Sequence, residues 1–127
     1  MLAVIIAGSE KDNNHVQKII NGLSEFGIKH MNYVASAHKN PLNVLKILEN
    51  YVHERAVFIT VAGRSNALSG FCAANTTLPV LACPPFSDKM DMMVNIHSTL
   101  QMPSNVPAMT VLDPRNCALA AAKILKL

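Results

Sequence analysis

The sequence has no tryptophan, and its aromatic residues are only four Phe and two Tyr. It has no basic run either: 11 Lys and Arg are scattered among 8 Asp and Glu, for a formal net charge of +3. A nucleic-acid surface needs a dense basic stripe, with aromatic platforms where single strands are held, so nucleic acid is excluded as a partner. The scattered charge still suffices to steer one small anion, such as a phosphate, into a cleft. Cysteine is scarce and odd in number: Cys72, Cys83 and Cys117 form no CxxC pair and have no His at zinc-finger spacing. That removes a disulfide framework and a zinc module, leaving buried, reduced thiols in a cytoplasmic protein as the expectation. His15, His30, His53 and His97 have no carboxylate spaced to join them, so no metal site is assigned, and His15 and His53 are expected at the surface. No apolar run spans a membrane, because "MLAVIIAG" lacks a basic flank and meets Gly8, Ser9 and Glu10 too soon. Repeats, linkers and low-complexity segments are absent too, and 127 residues that are 50% apolar suit one domain over 1–127. A mean hydropathy of +0.25 with many uncharged helix positions favours a homo-oligomer.

What is present is alternation. "LAVIIA" (2–7) is a β-branched run without polar breaks, the mark of a strand covered on both faces and hence of a parallel sheet. The period then switches: Val16, Ile19, Ile20, Leu23 and Phe26 recur at helical spacing, with Asp12 placed to cap the start and Gly27 where the helix stops. "HMNYVA" (30–35) reads as a second strand, followed by a stripe of Leu42, Leu45, Leu48 and Val52 that begins after Pro41. "AVFITVAG" (56–63) is the strongest strand. A loop from Gly63, a short helix around Ser69–Thr76, a strand "LPVLAC" (78–83), a helix from about Met90 to Leu100, a strand "AMTVL" (108–112) and a helix from about Arg115 to Lys126 complete the pattern. The predicted architecture is a three-layer α/β/α sandwich around a mostly parallel, flavodoxin-like five-stranded sheet.

In such sheets ligands bind outside the carboxyl ends of the strands. Polar clusters fall there four times: "GSEKD", "SAHKN", "GRSN" and "CPP". In the first, Gly8 permits a tight turn, Ser9 offers a hydroxyl, and Asp12 either accepts hydrogen bonds from sugar hydroxyls or caps a helix. The second brings Ser36, Ala37, His38 and Lys39 together; histidine is the side chain whose ordinary titration lies near neutral pH, and lysine attracts anions. A loop His beside a solvated Lys would read the same. In the third, Gly63, Arg64, Ser65, Asn66 and Ala67 combine close backbone approach with donors for a small polar group, although Ser65 and Asn66 also suit a capped helix start. "QMPSNVP" and Ser98 are weaker signals. A phosphoacceptor receiver is excluded, since it needs an Asp where the third strand ends in "AGR", and a flavin carrier would want a phosphate loop richer in Ser and Thr.

Taken in order, "GS…D", "SAHK", "AGRSNALSG", "CPP" and "QMPS" closely resemble the phosphoribosylaminoimidazole carboxylase family of purine synthesis over nearly the whole chain. One branch of that family rearranges an N-carboxylated aminoimidazole ribotide and carries a pattern like GGAAHLPG. Ala67 stands where that branch has its second His, so the resemblance is to the second class, which carboxylates aminoimidazole ribotide (AIR) directly with carbon dioxide to give 4-carboxy-AIR (CAIR). The mutase reaction and a nucleotide-binding homologue without turnover are the alternatives. The resemblance implies no cofactor, ATP or biotin, His38 as the proton-transfer group, and Lys39 on phosphate or developing carboxylate. Gly8, Ser9, Lys11, Asp12, Ser36 and Ala37 would hold phosphate and ribose, with Lys11 replacing a usual Ser. Gly63, Arg64, Ser65, Asn66 and Ala67 would form the carbon dioxide and base pocket. A cytoplasmic homo-octamer without membrane contact is likewise implied.

Overall fold

The computed structural model describes residues 1–127. Strand β1 (Leu2–Ala7) leads through a turn of 3₁₀ helix (Glu10–Asp12) into α1 (Asn13–Glu25). The chain continues as β2 (Lys29–Val34), α2 (Pro41–Glu49), β3 (Ala56–Val61), α3 (Leu68–Ala74) and β4 (Val80–Ala82). It ends with α4 (Lys89–Asn95), α5 (His97–Leu100), β5 (Ala108–Thr110) and α6 (Pro114–Leu125). The five strands form one sheet in the order β2-β1-β3-β4-β5, every pair parallel. No helix is long and apolar enough to cross a membrane.

The apolar run of β1 and that of β3, interrupted only by the buried Thr60, follow from their central places, where both faces are covered. Ala3, Ile5 and Ala7 with Val57, Ile59 and Val61 pack on α1 and α6 through Val16, Ile19, Leu23, Cys117, Ala118 and Ala121. On the other face Val4, Ile6 and Phe58 meet α2 and α3 through Val44, Ile47, Leu48, Leu68 and Cys72. Alternate side chains of one strand thus supply both cores. Gly27, at φ +72°, ends α1 where a residue with a side chain would be strained.

Several elements depart from their sequence reading. The buried residues of α2 are Val44, Ile47 and Leu48, joined by Tyr51 just beyond its end; of the expected stripe Leu48 is buried, whereas Leu42 is 79% exposed and Val52, past the helix, 51% exposed. Two apolar stripes interleave on that helix, and the one that meets Phe58 is the core. The helix expected near Met90–Leu100 is broken into α4 and α5. Ser98 Oγ donates to Asn95 O across the break, offering that carbonyl a side-chain partner. β4 and β5 have three residues each, shorter than expected, although Cys83 N→Thr60 O (2.9 Å) carries the β3–β4 ladder one step further. His15, expected at the surface, is half-buried, with Nε2 3.4 Å from Cys83 Sγ. All three cysteines are free and buried.

Candidate active site

The register sets the first three strand ends level: Ala7 stands opposite both Val34 and Val61. Gly8 N→Val61 O (3.0 Å) and Ala35 N→Ala7 O (2.9 Å) carry the ladder one residue further, so three loops leave the sheet on one line. From β1 the chain passes to β2 on one side and then to β3 on the other. The order reverses there, opening a crevice between the departing loops.

A cleft of about 260 Å³ occupies this crevice, lined by Gly8, Ser9 and Asp12, by Ser36, Ala37 and His38, by Ala62, Gly63, Arg64, Ser65, Ala67 and Leu68, and by Pro85. Four loops from four strands therefore converge, and sequence reasoning had named nearly all of their polar residues. Ala62, Leu68 and Pro85 were not named individually; they are apolar wall, and they fall within the "AGRSNALSG" and "CPP" motifs. Gly63 is required by close approach, because a Cβ there would run into the Pro85 carbonyl oxygen. No three His, Cys, Asp or Glu side chains converge to hold a metal ion.

Asp12 occupies the N-cap position of α1 but makes no capping hydrogen bond, and the residue lines the cleft. Partial burial raises its pKa above the ordinary aspartate value. Ser9 Oγ accepts from Lys11 N (3.2 Å), and Ser36 Oγ accepts from Lys39 N (3.2 Å), so each hydroxyl is anchored while its own proton stays available. His38 Nε2 lies 3.1 Å from Ser65 O, which joins the β2 and β3 loops across the cleft. Ser65 takes φ +50°, a left-handed conformation that few residues with a Cβ adopt.

Three expected site residues are placed outside the lining. Lys11 and Lys39 are exposed, contributing their backbone N–H groups to the loops and no side-chain hydrogen bond. Asn66 is 3% exposed and turned into the fold, donating through Nδ2 to Thr99 Oγ1 (3.0 Å) and accepting from Ser69 N (3.2 Å). Its backbone N donates to Ser98 Oγ (2.9 Å). Thr99 was missed altogether, since one hydroxyl in an apolar segment carries no signal in the sequence.

Residues 2–127 match the family described as AIR carboxylase. The chain belongs to the AIR carboxylase family. It is 53% identical over 127 residues to the phosphoribosylaminoimidazole carboxylase of Archaeoglobus fulgidus, covering all of this chain and 70% of that protein. The Treponema denticola phosphoribosylaminoimidazole carboxylase is 41% identical over 128 residues, with coverages of 99% and 80%. Among solved structures, that of Treponema denticola PurE superposes with a TM-score of 0.90 at 42% identity, over 98% of this chain and 80% of that one. An AIR carboxylase fold is therefore established for the sheet, and its strand-end loops carry the cleft described above.

Proposed function

We propose that this chain carboxylates AIR at C4 with carbon dioxide, giving CAIR in purine synthesis, reversibly and without ATP or biotin. The observation that carries the reading is the meeting of His38 with the Ser65 loop over a cleft floored by Gly8, Ser9 and Asp12. C4 of the aminoimidazole is enamine-like and attacks carbon dioxide itself, so the protein's work is to position two reactants, exclude water and take the C4 proton.

Ser9 and Ser36 offer hydroxyls to the phosphate, with the exposed Lys11 and Lys39 supplying attraction for the anion. Asp12 accepts from the ribose hydroxyls. Gly63, Arg64, Ser65 and Ala67 form the wall where carbon dioxide and the base lie, and the small Ala67 leaves the room that a second histidine would take. His38 removes the C4 proton in one direction and returns it in the other. The enzyme is proposed to act as a cytoplasmic homo-octamer.

The reading is tested by incubating the purified protein with AIR and labelled carbon dioxide, beside the N-carboxylated isomer. Label at C4 with the isomer unused is the expected result. Turnover of the isomer alone would place the chain in the mutase branch, and ligand-induced stabilisation without turnover of either would leave only a nucleotide-binding homologue.

A further inference from the structure

A backbone carbonyl can only accept a hydrogen bond, so the contact between His38 Nε2 and Ser65 O requires a hydrogen on Nε2. In the neutral ring that leaves the lone pair on Nδ1, which has no hydrogen-bond partner in the protein. Which nitrogen acts as base is therefore set by a carbonyl on another loop, and the question becomes what holds that carbonyl.

Ser65 is in a left-handed conformation, and its carbonyl accepts from Ala67 N (2.8 Å) as well as from His38. Both lone pairs of Ser65 O are thus engaged. The residue between them, Asn66, is fixed on every side: its N–H donates to Ser98 Oγ, its Nδ2 to Thr99 Oγ1, and its Oδ1 accepts from Ser69 N. Thr99 is 1% exposed, so losing its hydroxyl would leave Asn66 Nδ2 buried without a partner. Ser98 is anchored in turn on Asn95 O (3.1 Å).

We propose that Ser98 and Thr99 of α5 are positioning residues, acting through Asn66 and the Ser65 carbonyl to hold His38 as the Nε2–H tautomer, so that Nδ1 is the atom that takes the C4 proton. The step balances: the C4–H bond breaks, its electron pair restores the aromatic ring, and the proton passes to Nδ1. The resulting imidazolium keeps its Nε2–H on Ser65 O. The assignment rests on the carboxylation reading for its substrate but not for its geometry.

The test is long-range ¹H–¹⁵N correlation on the ¹⁵N-histidine-labelled protein without ligand, at a pH where the ring is neutral, combined with AIR carboxylation kinetics. The wild type is expected to show His38 with hydrogen on Nε2. Thr99→Val should mix the two tautomers and lower kcat about 10- to 100-fold, with KM for AIR within about twofold, and Thr99→Ser should restore both readouts. If Thr99→Val does not fold, Ser98→Ala removes the other arm and should mix the tautomers in the same way. A wild-type His38 with hydrogen on Nδ1, or a folded Thr99→Val protein whose tautomer and kcat are unchanged, would overturn the proposal. A locked Nε2–H tautomer that Thr99→Val loosens, in a protein inert toward AIR, would support the positioning and sink the carboxylation reading instead.

Discussion

Asp12 shows how one position serves two demands. Its place ahead of α1 is that of a capping residue, yet the carboxyl caps nothing and is partly buried, and the residue lines the cleft. Burial disfavours the charged form and raises the pKa, so protonation relieves a penalty that the carboxylate carries at neutral pH. Stability on this account rises as pH falls through the raised value, and below the ordinary aspartate range the penalty is gone. Asp12→Asn is accordingly predicted to raise the thermal midpoint at pH 7, by an amount that vanishes when the melt is repeated near pH 3, while weakening AIR binding. Calorimetry at the two pH values checks the sign; a lower midpoint at pH 7 would contradict it. The sequence left the two roles of Asp12 open because N-cap and ligand positions coincide at a strand-to-helix loop. Asn66 was read as a pocket residue for a similar reason: its amide suits a ligand or a buried bracket equally well, and only the fold places Ser98 and Thr99 beside it.

At the scale of elements, α1 and α6 are packed through their smallest residues. A Cβ on Gly22 would lie 2.7 Å from Ala118 Cβ, and the Arg115 backbone closes the same gap. Arg115 also pairs with Glu25 and stacks 5.0 Å over the Phe26 ring, although this ion pair is exposed and contributes little. Two effects of Gly22→Ala compete: better helix propensity is worth about 1 kcal/mol, and overpacking costs about 1–3 kcal/mol. The second wins because the clash is with a neighbouring helix and not with the end of a flexible side chain. A net loss of roughly 1 kcal/mol is expected from denaturant unfolding; a gain would show that the two helices can separate freely. β1 and β3 were legible from sequence because burial on both faces leaves a nearly continuous apolar run, with Thr60 its one polar residue. α2 was legible as a helix that begins at Pro41, and Leu48 of its expected stripe is buried, but Leu42 and Val52 imitate a core stripe that Val44 and Ile47 supply.

For the whole molecule, the sheet explains the cleft and leaves some surface unexplained. α4 buries none of its residues, and Met90, Met93 and Val94 on it are exposed together with Leu100 on α5. Such an apolar surface suits contact with further copies of the chain. Sedimentation of the native protein is predicted to show one species with the mass of an octamer of the 13.8 kDa chain, and Met93→Glu should dissociate it. A monomeric wild type would contradict the assembly proposed here without touching the chemistry.

The chemistry stands or falls on His38. AIR turnover and AIR binding measured side by side in His38→Asn test it most directly. The proposed role of His38 predicts a rate lowered about 10²- to 10⁴-fold with affinity for AIR within a few-fold of the wild type, because the ring would move the proton while the other loops would hold the nucleotide. A variant that carboxylates AIR at the wild-type rate would show that the proton leaves C4 by another route.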